Sequence, residues 1–280
     1  MLSLQPWGAA VRKATLGNTR GRSARVRRAA VAAAIALLLA LGAWTGARVR
    51  AGMGLAAAAY SLRGRVVAVD PGHGGIDPGA LGPDGLNEDT VVWGVSVRLA
   101  AMLERAGAVV VLTRSGETPV TGTTSQGPSE RRRIHLRQRV LGINAAGADV
   151  AVSVHANHFS NPSERGAQVF YNPERFPQSK ELALLLQTQL ARVVGGTRRV
   201  VSEHINHYFL NHTDMPAATV EIGFLSNPQE AKRLAQPDYQ ERIAYAIYTG
   251  LAYWSARLPT APRPDVTGPS SPHPHTASRL

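Results

Sequence analysis

The sequence predicts an α/β fold: a mostly parallel, twisted sheet with helices on both faces, built as a single domain over residues 64–258. Two observations carry this expectation. Short β-branched runs alternate with helical segments along the chain, the order that builds a parallel sheet. Several of those runs are apolar at every position rather than at every second one, as strands covered on both faces are.

Arg65–Asp70 (RVVAVD) is a first strand that leads into a glycine-rich turn. Asn87 is placed to cap a helix in which Val92, Val95, Leu99 and Met102 recur at helical spacing as far as Gly107. Ala108–Thr113 (AVVVLT) is a second strand, followed by a polar loop, Ser115–Pro128. Arg131–Ala146 reads as a basic amphipathic helix stopped by Gly147. Asp149–His155 (DVAVSVH) is a third strand and Ala167–Tyr171 a fourth. Leu182, Leu185, Leu186, Gln189 and Val193 put Ser179–Val194 in a helix ended by Gly195 and Gly196. His207–Leu210 and Ala217–Phe224 read as further strands. Asn227 and Pro228 form a cap with proline at the first helical position, opening a helix to Ala235. Ile243, Ile247, Leu251 and Trp254 share one side of a last helix, Tyr239–Leu258.

Composition narrows the chemistry. Of 280 residues 44% are apolar, enough for a full core, and none is cysteine. Disulfides, thiol nucleophiles and thiolate-bound zinc are excluded, so a metal site must be built from His, Asp and Glu. The net charge is +12, but residues 1–50 hold nine basic groups and no acidic one. The rest of the chain is close to neutral, which removes nucleic acid as a partner.

The N-terminal segment predicts a membrane. A basic stretch, residues 1–28, precedes the uncharged run Ala29–Ala47. Nineteen helical residues span about 28 Å, against roughly 30 Å of bilayer hydrocarbon. The basic flank keeps that end cytoplasmic, so the chain beyond the run is extracytoplasmic. The run is longer than a signal peptide's apolar region, which favours a transmembrane anchor, while Ala56–Ala59 would suit a signal peptidase and secretion. Residues 48–63 read as a connector. Pro259–Leu280, with six prolines, is expected to be a disordered tail.

Ionisable residues gather where strands end, the usual place for function in such sheets. The first strand runs into Pro71-Gly72-His73-Gly74-Gly75, and the third terminates on His155. Glu221 interrupts an apolar strand, and Glu88 starts the helix after the first strand. An ionisable side chain inside an apolar strand is costly unless paired or ligating. Each residue also has a plainer reading: His73 a turn cap, Glu88 a first-turn carboxylate, His155 a core histidine, Glu221 the partner of an arginine. His135, His158, His204, His207 and His212 are read as structural or surface residues, with His158 the next candidate. The glycines lack the lysine and helix start of a phosphate loop.

Four stretches in unbroken order change this balance. VDPGHGG (Val69–Gly75), LNEDTVV (Leu86–Val92), LRQRVLGINAAGADVAVSVHAN (Leu136–Asn157) and ATVEIGFLSNPQEAKRL (Ala218–Leu234) resemble the zinc-dependent N-acetylmuramoyl-L-alanine amidases of the type 3 family. Within it, the single domain and the stretch Gly166–Tyr171 are most like the germination-specific, spore-cortex subgroup. The resemblance implies one zinc ion held by His73, Glu88 and His155, with Glu221 as the catalytic residue. Many members have lysine after the glutamate ligand, where this chain has Asp89.

It further implies hydrolysis of the amide between N-acetylmuramic acid and L-alanine in peptidoglycan. Two imidazoles and a carboxylate leave a fourth zinc position for water, and Glu221 would shuttle the proton to the departing amine. Asp70 and Asn157 are candidates to orient the histidines. In the spore subgroup the product leads to muramic-δ-lactam, with the enzyme in the forespore intermembrane space. The alternatives are a vegetative-wall amidase, a zinc peptidase acting on stem peptides, and a metal-free wall-binding module.

Overall fold

The computed structural model describes residues 19–75, 77–116 and 127–259. The expected basic segment up to residue 18, the tail from residue 260 and most of the loop Ser115–Pro128 lie outside the described residues. The described residues fall into two compact units, divided between Met53 and Gly54.

Helix α1 (Thr19–Tyr60) makes up the first unit as far as Met53. Its Arg27–Tyr60 stretch, which contains an 18-residue window of mean hydropathy 2.0, is long and apolar enough to cross a membrane, a test that a signal sequence also passes. The helix does not end where the uncharged run does. It continues to Tyr60 through most of the expected connector, because the alanines of 56–59 are the strongest helix formers. Residues 54–63 are part of the second unit, with Ala58 and Leu62 buried in its core.

The second unit is a six-stranded sheet in the order β2-β1-β3-β6-β4-β5. These strands are β1 (Val66–Pro71), β2 (Val109–Leu112), β3 (Val150–Asn157), β4 (Gln168–Tyr171), β5 (Ser202–Glu203) and β6 (Ala217–Phe224). β2, β1, β3 and β6 run parallel. β4 is antiparallel to β6, and β5 follows β4. The helices are α2 (Glu88–Arg105), α3 (Pro128–Ala145), α4 (Pro177–Val193), α5 (Tyr208–His212), α6 (Pro228–Leu234) and α7 (Pro237–Ser255).

Two local expectations are corrected. His207–Leu210 is not a strand: His207 precedes α5, where Asn211 N–H donates to the His207 carbonyl at 2.9 Å and the Tyr208 and His212 rings stack. Phe209 and Leu210 are buried in one cluster with Val140 and Ile143 of α3, so packing overrides their β preference. Asn87 stands at the start of α2 but its side chain makes no capping bond, whereas Asn227 accepts from both Gln229 N and Glu230 N at 3.1 Å. The two-residue strand β5 carries too short a pattern to be read from sequence.

Strand alternation sorts the sheet into two unlike faces. Val67, Val69, Val150, Val152, Val154, Ala218, Val220 and Ile222 belong to the large core, which also takes in residues of α2, α4 and α7. Ala68, Ala151 and Ala217 point the other way, into a smaller cluster with residues of α3 and α5. Asp70, Ser153, His155, Thr219 and Glu221 continue that second face toward the carboxyl ends of the strands.

Candidate metal centre

β1 delivers the chain into a tight turn rich in glycine, with Gly74 at φ 107° and Gly75 at φ 64°. His73 itself has a left-handed backbone (φ 59°), a conformation non-glycine residues hold only when their surroundings enforce it. Gly74 and Asp77 exchange backbone hydrogen bonds at 2.8 and 3.2 Å and close the turn. A Cβ on Gly72 would stand 2.4 Å from the His155 ring, and one on Gly79 would stand 2.6 Å from Glu88 Oε2. These glycines therefore admit side chains rather than a phosphate.

Two buried arginines hold the turn from opposite sides. Arg114 donates to the carbonyls of Pro71 (3.4 Å), Asp89 (2.9 Å) and Gly116 (2.9 Å), joining the turn to the start of α2. Arg139 of α3 donates to the His73 carbonyl at 2.9 Å and forms an ion pair with Asp70, Nε to Oδ1 3.0 Å, at an angle short of a hydrogen bond. Asp70 also accepts from Thr113 Oγ1 (2.6 Å) and Ser153 Oγ (2.7 Å).

Glu88, 3% exposed, stands at the centre. Its Oε2 accepts from Ala80 N–H at 2.8 Å and faces His73 Nε2 at 3.2 Å. Its Oε1 accepts from Ala156 N–H at 2.9 Å and faces His155 Nδ1 at 3.1 Å. Burial alone would raise the Glu88 pKa, but hydrogen bonds and charge from His155 and His73 outweigh it and hold the carboxyl well below its usual range. The same contest appears at His73: burial lowers its pKa, and hydrogen bonds to Asp77 and Glu88 carry it up to about 9. His73 Nδ1 meets Asp77 Oδ2 at 2.9 Å, leaving Nε2 directed at Glu88.

One ligand atom from each of His73, Glu88 and His155 lies within 4.8 Å of the others. A cation with 2.0–2.2 Å bonds in tetrahedral geometry sets its ligands roughly 3.4 Å apart. Each imidazole already stands near that distance from one Glu88 oxygen, His73 Nε2 at 3.2 Å from Oε2 and His155 Nδ1 at 3.1 Å from Oε1. A buried carboxylate between two imidazoles is a donor set that fits a borderline cation such as Zn2+.

Glu221 lies on β6 directly across from His155 on β3. Its Oε2 is buried with no hydrogen-bond partner among the described residues. Burial raises its pKa to about 7, with His155 pulling the other way. Beyond it the end of β6 is pinned: Glu230 accepts from Phe224 N–H at 2.8 Å and from Gly166 N–H at 3.0 Å.

All four residues singled out from sequence thus meet at one edge of the sheet. Of the two candidate orienting groups, Asp70 does not serve as expected. Asp70 braces Arg139, Thr113 and Ser153, and the side chain facing His73 is Asp77. The sequence reading missed Asp77, Arg114 and Arg139, whose only signal was the run of turn residues around His73. It also set aside His135 and His207, which line a pocket beside His73 and His155.

A mostly parallel α/β sheet that gathers two imidazoles, a carboxylate and a further buried acid at its carboxyl edge has the make-up of a metal-dependent hydrolase. The chain belongs to the N-acetylmuramoyl-L-alanine amidase family, whose pattern matches residues 67–253, and it is an amidase acting on peptidoglycan. It is 36% identical over 190 residues to the germination-specific N-acetylmuramoyl-L-alanine amidase of Bacillus subtilis, covering 68% of this chain and 79% of the relative. The CwlD amidase of Clostridioides difficile, solved in complex with the GerS lipoprotein, is 34% identical with a TM-score of 0.65, over 68% of this chain and 98% of that one. The catalytic domain of CwlV from Bacillus (Paenibacillus) polymyxa var. colistinus is 31% identical with a TM-score of 0.58, over 66% and 95%.

Proposed function

We propose that His73, Glu88 and His155 hold one catalytic zinc ion and that Glu221 moves the proton during hydrolysis of the N-acetylmuramoyl-L-alanine bond. The observation that carries this is the convergence of three ligand atoms within 4.8 Å, with Glu221 across from His155. Zinc bound there would lower the pKa of water at its open position and polarise the lactyl carbonyl. Asp77 accepts from Nδ1 of His73, which fixes the ring and keeps Nε2 free to ligate. The backbone N–H groups of Ala80 and Ala156 orient the Glu88 carboxylate, which His155 and His73 hold ionised. Glu221 takes a proton from the attacking water and returns it to the alanine nitrogen, a poor leaving group while unprotonated. A carboxyl titrating near 7 is suited to both transfers.

The substrate wall is spore cortex, and removal of stem peptides there prepares muramic acid for conversion to muramic-δ-lactam. Likeness to the germination-specific relative supports this over a vegetative wall. The domain works on the extracytoplasmic side, tethered by α1, where a lipoprotein partner of the kind bound to the CwlD amidase would meet it.

Product analysis of cortex and vegetative peptidoglycan digested by the purified chain tests the reading. Peptides beginning with L-Ala and stem-free muramic acid are expected, more from cortex, lost with chelator and restored by Zn2+. Cuts inside the stem peptide would identify a peptidase instead.

A further inference from the structure

Beside the metal centre, between the polar face of the sheet and helices α3 and α5, lies a pocket of about 320 Å³. Its inner wall is His73, Ser153 and His155, and its outer wall includes His135, His207 and Arg132. Most charges around it are already matched: Arg139 with Asp70, Arg133 with Glu130, Asp77 with His73. Arg132 differs. It is exposed, and its hydrogen bond is to the neutral Ser129 hydroxyl at 3.3 Å. It also stands in the first turns of α3, where the helix dipole opposes a cation. On the same pocket lining, His207 keeps Nδ1 buried with no hydrogen-bond partner among the described residues, a costly state for a polar atom.

Arg132 forms no ion pair among the described residues, its charge reaching Asp77 without contact, and together with the unsatisfied imidazole nitrogen it calls for an anion with two acceptor oxygens. We propose that this pocket is a carboxylate subsite, in which Arg132 and His207 receive an acidic group on the peptide side of the substrate. The inference rests on the amidase reading and names the part of the substrate that lies there. The lactyl carboxyl is consumed in the scissile amide, so the free carboxylates of a muramoyl peptide belong to its stem. Glu221, which protonates the departing amine, shares the sheet face of Ser153 and His155 that forms the pocket wall. The amine therefore leaves toward the pocket, and the stem goes with it.

The test uses the full zinc-loaded chain in detergent and two muramoyl tripeptides that differ only in a carboxylate or carboxamide on the second residue. The wild type should show a KM about tenfold lower for the acid at similar kcat, the scale of one charge-assisted hydrogen bond. Arg132→Ala should raise the acid's KM to that of the amide and leave the amide's kinetics unchanged, with Arg132→Lys recovering part of the preference. His207→Asn should weaken the acid alone, with zinc content unaltered. Equal KM values in the wild type, or a preference surviving Arg132→Ala, would overturn the subsite while leaving the amidase intact. No turnover of either substrate would overturn the amidase reading and the subsite with it.

Discussion

The two faces of the sheet divide stability from chemistry. One is lined by Val67, Val69, Val152, Val154, Val220 and Ile222, all at 2% exposure or less, and belongs to the large core that includes residues of α2, α4 and α7. The other offers alanines at its amino end and Asp70, Ser153, Thr219, His155 and Glu221 toward its carboxyl end. Valines bury apolar area without any directional demand. The polar face must instead match every group, and it does so partly through long-range bonds such as Ser153 to Asp70. The groups left without a hydrogen-bond partner among the described residues, Glu221 Oε2 and the Thr219 hydroxyl, are buried at or beside the site. Strain at a site of this kind is tolerated because the opposite face supplies the stability.

Substitutions on each face can break that division. Glu221→Gln should lower peptide release by about 10²–10⁴-fold, measured by chromatography of released peptides, with zinc content retained. The same change should stabilise the metal-free protein. A carboxyl whose folded pKa is raised from 4.5 to about 7 disfavours the folded state as pH climbs between those values. Relative to the Gln variant, wild-type stability should therefore fall across that window by up to about 3 kcal/mol in urea titrations. His207, whose burial depresses its pKa to about 4, acts in the opposite direction in both proteins. A parallel pH dependence in both proteins would place the titration elsewhere.

On the dry face, Leu99→Ala should cost about 2–5 kcal/mol in urea unfolding while kcat per folded molecule stays unchanged. Leu99 is fully buried in the large core, far in chemistry from the site. A loss of kcat at constant folded fraction would show that the faces are coupled.

The smallest effect belongs to the brace. Asp77→Ala frees the His73 ring and should weaken zinc binding by about 10–100-fold, read by competition with a chelating dye. Unchanged affinity would mean that Arg139 and the turn alone orient the imidazole.

Much of the fold was legible along the chain. The β-branched runs around Val67, Val152 and Val220 read as buried strands, and His155 and Glu221 stood out as the ionisable residues within them. The run around Val110 is a strand too, but it lies at the edge of the sheet and is only partly covered, with Val109 exposed. Asn227-Pro228 reads correctly as a cap, since capping chemistry is local. Asn87 does not, because the Asp89 N–H that its side chain could accept from already donates to the Pro78 carbonyl at 3.1 Å, a bond made by the preceding loop. Tyr208–His212 misleads because aromatic and apolar residues serve strand and helix alike, and burial against α3 decides between them.

The sequence by itself determined the strand runs, the helix periods and the four ionisable residues at strand ends, because each is a property of neighbours in the chain. Only the tertiary structure decided that β4 would turn antiparallel, that Asp77 would orient His73, and that His135 and His207 would share a pocket with Arg132. Those outcomes depend on distances between residues far apart in the chain, and local propensity carries no information about such distances.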